Sequence, residues 1–330
     1  MNEVRMILGS VRITIIKREE LQMQELTFDI PYIELDFYAE MLEDAILPEN
    51  KVSALRGGMG QILLRQNCVS DRNCGDCMFL KACPVTHTLY THMENKPVYV
   101  TGKESVGYLI ECEDKTEDFK KGDRFVFRLI LFGDSIVYFN LYRQAFCLLG
   151  MSGIGRNRAP FGITEVRNIQ GEKIINRNRI DMRKYKICRL RDYVIQRKAE
   201  LEEKTDKYAM IFTTPLSMKY QKEYMKEFQP EALVKGAARR LQMLNYYVGH
   251  PGDLPEFQKY PVIRSQAVQS KKSKRYSSTQ KNIMPLRGIT GTVLFEEIPD
   301  ECIDYLIVGE LTHIGKNTSF GFGKYFLTSI

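Results

Sequence analysis

Of the four histidines in this chain, His87, His92, His250 and His313, only His313 stands beside both a cation and a run of glycines. Lys316 follows three residues later, and Gly315, Gly321 and Gly323 fall in the same stretch. An imidazole moves protons, an ammonium stabilises negative charge, and glycines let the backbone come close enough for its N–H groups to meet phosphate oxygens. That combination reads as proton transfer beside a phosphate, with His313 and Lys316 as the catalytic candidates. Gly315, Asn317, Gly321 and Gly323 form the cradle. A second reactive set is Cys68, Cys74, Cys77 and Cys83, spaced C-x5-C-x2-C-x5-C. Four thiolates so spaced can converge on one tetrahedral ion, which predicts a structural zinc with His87 as a substitute ligand. Four cysteines would leave the ion no open position, so no catalytic metal is expected. Cys112, Cys147, Cys188 and Cys302 are isolated in apolar or strand-like contexts and read as buried thiols.

The glycines do not spell a nucleotide site. A P-loop needs four residues between its Gly and a Gly-Lys-Ser/Thr, whereas five separate Gly309 from Gly315 and Asn317 follows Lys316. Gly153-x-Gly155 meets Arg158 where the dinucleotide fingerprint needs its third Gly. An ATP or NAD enzyme is excluded on spacing, residue and context.

Charge points to a polyanion instead. Residues 1–150 carry 17 Lys and Arg against 22 Asp and Glu, and residues 151–330 carry 31 against 19. Between Phe257 and Phe295 there is no acid and there are eight bases, Lys271, Lys272, Lys274 and Arg275 among them. Such a stretch suits phosphates.

The elements that hold these residues repeat. Ile154-Gly155-Arg156-Asn157 followed by Phe161-Gly162 recurs as Ile314-Gly315-Lys316-Asn317 followed by Phe320-Gly321. Each copy follows an apolar segment of helical length, Ser135–Leu149 or Asp300–Thr312, and precedes a strand-like alternation, Phe161–Val166 or Phe322–Leu327. Before them, the first half reads as a strand at Ile30–Ala39, a helix capped by Ser53, and strands near Val98–Tyr108 and Arg124–Phe132. The second half reads as a strand at Tyr208–Thr213, a helix over Pro230–Val248, and strands Val262–Gln269 and Ile289–Glu296 flanking a basic tip, Ser270–Asn282. The prediction is an α+β chain of two tandem ferredoxin-like (RRM-like) β-α-β-β-α-β domains. They span 1–170, with a Cys-bearing insert at 67–92, and 205–330, with a basic linker over 171–204.

With Leu55-Arg56-Gly57-Gly58-Met59-Gly60 on the first helix, the Cys insert, Gly153-Ile154-Gly155-Arg156 and the stretch Gly309 through Gly323, the chain resembles the CRISPR repeat-processing endoribonucleases of the RAMP superfamily. The resemblance implies antiviral defence through RNA processing. A metal-independent hydrolase would bind CRISPR repeat RNA, cut the precursor within its repeats, and pass guide RNAs to an interference complex. Attack by the substrate's own 2′-hydroxyl would leave a 2′,3′-cyclic phosphate and a 5′-hydroxyl, with no cofactor for catalysis. Arg56 and Lys51 join Lys271, Lys272, Lys274 and Arg275 as expected phosphate contacts. Many relatives of that family carry a general base on the first helix, yet Ser53–Asn67 contains no His. Three readings therefore stand open: His313 as base, a Tyr, Lys and Arg arrangement, or a non-catalytic repeat-binding subunit.

Composition sets the frame. A chain of 330 residues with 44% hydrophobic and 27% charged residues is globular, and eight Cys are too few for a disulfide scaffold. Met1–Ser10 has no apolar run, and Phe125–Tyr142 is broken by Arg128, Asp134 and Asn140. The expectation is a cytoplasmic protein without membrane contact, monomeric or homodimeric.

Overall fold

The computed structural model describes residues 25–100, 105–176, 179–202, 207–277 and 282–330. The first half contains β1 (Pro31–Met41), α1 (Lys51–Asn67), β2 (Tyr108–Glu111), β3 (Arg124–Phe132), α2 (Phe139–Ser152) and β4 (Phe161–Asn168). They pair antiparallel in the order β2-β3-β1-β4. After β5 (Cys188–Arg189) and α3 (Leu190–Glu202), the second half contains β6 (Tyr208–Leu216), α4 (Pro230–Tyr247), β7 (Val262–Ser277), β8 (Asn282–Glu297), α5 (Asp300–Thr312) and β9 (Tyr325–Ser329). Their order, β7-β8-β6-β9, is the same ferredoxin-like arrangement.

Alternation along the strands builds two cores. In β1 the residues Ile33, Leu35, Phe37, Ala39 and Met41 point to the face covered by α1 and α2, where Phe37 stacks on Phe127 at 5.0 Å between ring centres. Tyr32 points the other way, with Leu109 and Ile130 from the neighbouring strands. These residues join one core with Leu233, Leu241 and Leu306 of the second half. One sheet thus spends one face on its own helices and the other on its partner domain. Hydrogen bonds cross the same seam: the buried Arg240 donates to Thr312 O within its own half and to Val106 O of the first.

The structure departs from the sequence expectation in five places. Among the described residues near Val98–Tyr108, strand begins only at Tyr108 and runs to Glu111; Val98 is fully exposed and Val100 N–H closes a turn on Pro97 O. Helix α1 begins two residues ahead of Ser53, and no side chain caps it. Ser135 does not open an α-helix, because Gly133–Tyr138 is a 3-10 turn whose Ser135 Oγ lies 2.8 Å from Tyr247 Oη. The stretch 171–204 is more than a linker. β5 pairs with the start of β1, and α3 packs on α5, where Arg197 bridges Glu310 and donates to Leu327 O. Finally, the basic tip is largely the ladder of an extended hairpin, paired from Val262↔Glu297 out to Ser277↔Asn282.

The duplicated Gly motif is a folding device in both halves. Arg156 N–H donates to Ile46 O at 3.1 Å and Lys316 N–H to Ser217 O at 2.7 Å. A methyl on Gly155 or Gly315 would come within 2.5 or 2.8 Å of those same carbonyls. Each copy thereby pins the segment after its second helix to the segment after its first strand.

Candidate nucleic-acid interface

Helix α5 ends at Thr312, and the chain leaves it through His313 at φ 56° and ψ 156°. That region is nearly reserved for glycine and costs another residue of order 1–3 kcal/mol. The first copy places Gly153 there, at φ 82° and ψ 155°. What holds His313 in place is a partner from the other domain. Its ring is fully buried, with Nε2 2.7 Å from Glu111 Oε1 and Nδ1 3.1 Å from Phe322 O. Both nitrogens face oxygen atoms of the protein. Glu111 ends β2, and its other oxygen takes a 2.8 Å bond from Lys324 Nζ, which also reaches Glu113 at 2.9 Å. Burial alone would push the Glu111 carboxyl up, but the bond and charge of His313, with Lys324, outweigh it and hold it down at about 2. His313, expected as a catalytic residue, is thus found buried with both ring nitrogens on protein acceptors, where it acts as a latch between the loop and the first domain.

Outside this latch the loop turns toward solvent. Gly315 and Lys316 are exposed, and Lys316 Nζ lies 5.8 Å from the ring centre of Tyr224. Asn317 adopts the left-handed conformation that starts the turn Thr318–Phe320. Gly321 and Gly323 do not cradle a phosphate, because their N–H groups are taken by Thr318 O and Pro215 O. Gly323, at φ 77°, has no room for a methyl, which would sit 1.9 Å from Ile314 O.

Helix α1 of the first domain meets this loop. A methyl on Gly321 would stand 3.1 Å from Val52, and the Arg56 guanidinium lies over the Phe320 ring at 4.6 Å. Arg56 Nε is buried with no hydrogen-bond partner among the described residues. The first turn of α1 has neither a side-chain cap nor an acid, so its N–H groups meet no competing carboxylate from that turn. Lys51, expected on a phosphate, is instead buried and spent on Asp114 O at 2.9 Å and Thr116 O at 2.5 Å. On the hairpin, Lys271 and Lys272 are exposed on the edge strand β7. Lys274 and Arg275 continue that strand opposite Pro285 and Met284, and their side chains lie outside the described residues.

The other imidazoles lie elsewhere. His87 Nε2 is 2.6 Å from Lys81 O and its ring stacks on Tyr138, while His92 and His250 are exposed in loops. Nor does the zinc expectation fit the geometry: among the described residues no group of three or more His, Cys, Asp or Glu is placed to hold one metal ion. The isolated Cys112, Cys147 and Cys188 are half-buried rather than buried; Cys302 is buried as expected. Glu111, Lys324, Tyr224 and Phe320 were not singled out from the sequence. The carboxylates alternating at the end of β2 and the Lys directly after Gly323 were the available signal.

Comparison with known proteins bears on the fold. Residues 210–325 match the family model of the CRISPR-associated endoribonuclease Cas6, and residues 30–187 match a model described as an N-terminal domain. No curated protein matches the sequence. Among solved structures, a partial Cas6-RT-Cas1–Cas2 complex is similar with TM-score 0.55 and 14% identity over 92% of this chain. A Cas6-RT-Cas1–Cas2 complex has the same score and identity. The chain spans 47% and 29% of the lengths of those two. A Cas6 product complex is similar over 92% of this chain and 100% of its own, with TM-score 0.50 and 13% identity. At these identities the likeness is one of fold. No described helix is long and apolar enough to cross a membrane.

Proposed function

We propose that this chain, whose second domain belongs to the family of the CRISPR-associated endoribonuclease Cas6, binds CRISPR repeat RNA across its domain seam and cuts it there without a metal. The observation that carries the reading lies within that family match. The Gly-rich loop presents two cation–aromatic pairs, Lys316 with Tyr224 and Arg56 with Phe320, one of them completed by the first domain. Cations of this kind take phosphates and aromatic faces take unstacked bases. The first turn of α1, with no side-chain cap and no acid, precedes Arg56 on the same helix.

In the proposed reaction the 2′-oxygen attacks the adjacent phosphorus and the bond to the 5′-oxygen breaks. The proton lost from the 2′-hydroxyl leaves to a base, and another is gained by the departing oxygen. The products are a 2′,3′-cyclic phosphate and a 5′-hydroxyl. Lys316 and Arg56 stabilise the charge that builds on the phosphoryl oxygens, and Tyr224, whose ring centre lies 5.8 Å from Lys316 Nζ, carries a proton. Cleaved repeats would then serve as guide RNAs for an interference complex. The domain division at 170 and 205 stays part of this reading, with 171–204 bridging the two units.

One observation favours a second reading, a non-catalytic repeat-binding subunit. No imidazole is available at the loop, since His313 is enclosed and the other three histidines lie elsewhere. Incubating the purified protein with its cognate repeat RNA in EDTA separates the two. Discrete cleavage with a cyclic phosphate end is the expected result; a tight shift with intact RNA leaves the second reading, and no binding removes both.

The hairpin makes its own prediction. Replacing Lys271, Lys272, Lys274 and Arg275 with Ala is expected to weaken binding and to flatten the dependence of affinity on salt. Each lost single-strand phosphate contact removes about 0.7 from the log–log slope. An unchanged slope would show that β7 does not touch RNA.

A further inference from the structure

Four of the eight cysteines, Cys68, Cys74, Cys77 and Cys83, line a single cavity of about 330 Å³ between the end of α1 and the insert that follows it. Much of the remaining wall is apolar, with Leu64, Phe79, Leu80 and Val85. The cavity is open to solvent on one side, and Asn67, Ser70, Asn73 and Thr86 also line it. One tetrahedral ion would need every sulfur about 2.3 Å from a common centre, and among the described residues no group of three or more His, Cys, Asp or Glu is placed to hold one ion. An iron–sulfur cluster makes a different demand. It takes one thiolate per iron, so its four sulfur ligands surround a body rather than a point.

A second, independent feature favours such a cluster. The backbone N–H of Arg72 donates to Cys68 Sγ at 3.2 Å, and the chain reaches that bond through positive φ at Asp71 (42°) and Arg72 (67°). Backbone donors to sulfur stabilise the thiolate form and tune clusters held by it. Arg72 also lines the cavity, and its guanidinium donates to Gln61 Oε1 at 3.0 Å, so a positive charge stands near a site whose four thiolates would make it negative. Met78 and Phe79 of the insert are exposed, while Val85 and Leu89 farther along it are buried in the core beside α1.

We propose that Cys68, Cys74, Cys77 and Cys83 hold a four-iron, four-sulfide cluster that fastens the insert to the C-terminal end of α1. This site stands apart from the domain seam and does not depend on the reading of the RNA chemistry.

The test uses the full chain, produced with ample iron and purified without oxygen. It should be brown, with broad visible absorption that bleaches on adding dithionite, and should carry about four irons and about four acid-labile sulfides per chain. Cys77→Ser should lose the colour, whereas Cys112→Ser and Cys147→Ser should keep it. Should Cys77→Ser fail to fold, the wild-type protein stripped of metal and offered ferrous iron and sulfide gives the same reading. One equivalent of zinc without sulfide, or a colourless chain that takes up neither iron nor sulfide, would overturn the proposal.

Discussion

Glu111→Gln is expected to lower the stability of the folded chain by about 3 kcal/mol at pH 7, an unusually large effect for a substitution that removes one charge and almost no volume. The reason is position. Glu111 is the hub of the latch between the domains: Oε1 bonds the buried His313 and Oε2 bonds Lys324. Removing one member of a buried charged set typically costs about 3–5 kcal/mol, because the partners stay desolvated. Here Lys324 keeps Glu113, which places the expectation at the lower end. The carboxyl itself gives a matching figure. Folding lowers it from 4.5 to about 2, and a shift of that size is worth about 3 kcal/mol through linkage. Because the folded value is depressed, this stability is fully present above pH 4.5 and is lost as the pH falls toward 2. Glu34 works in the opposite sense. Burial pushes it up despite the opposing charge of Arg128, so it gains stability as the pH falls. Denaturant unfolding of the wild type and Glu111→Gln at several pH values isolates the hub: their difference should be near its full size at pH 7 and close to nothing near pH 2. Equal midpoints at pH 7 would mean that the latch does not hold the domains.

How far the sequence revealed this arrangement depends on the range of the interactions involved. The duplicated β-α-β-β-α-β order was legible because the Ile-Gly-x-Asn corner recurs and its geometry is local: each copy binds the backbone of its own half. The role of His313 was not legible. Gly315 and Lys316, two and three residues on, are exposed, but the surroundings of His313 are set by Glu111, 202 positions away. A hint was present in the repeat itself, since His313 occupies the place of Gly153 and an imidazole held in a glycine's conformation needs a reason to be there. The stretch 171–204 looked like a linker because its bases outnumber its apolar residues in places. Three buried side chains, Leu190, Val194 and Leu201, suffice to dock α3 when Arg197 satisfies Glu310 beneath it. The cysteine spacing predicts one zinc site; the four cysteines do line one cavity, but their placement follows from the path of the insert over α1, which spacing alone does not fix.

Lys316→Ala is expected to slow cleavage of the repeat by about 10²–10³, the usual cost of removing one donor aimed at developing charge. It should leave thermal unfolding unchanged. The two effects separate because the side chain is exposed while the backbone N–H of the same residue, which does the structural work, remains on Ser217 O. Lys316→Arg should restore most of the rate, since a cation at that point is what the phosphoryl oxygens require. Arg56 behaves differently. Its guanidinium lies over the Phe320 ring at 4.6 Å while Nε has no partner among the described residues, so Arg56→Lys keeps the charge, loses the guanidinium and should remain slow. Single-turnover rates at saturating protein read these changes free of binding, and a substrate with a 2′-deoxy nucleotide just before the scissile phosphate supplies the chemical control. That substrate should bind and stay intact, because the missing hydroxyl is the nucleophile. Its cleavage would rule out attack by the 2′-oxygen, and a wild-type rate in Lys316→Ala would place the stabilising charge elsewhere along the seam, leaving the loop as a surface that only binds.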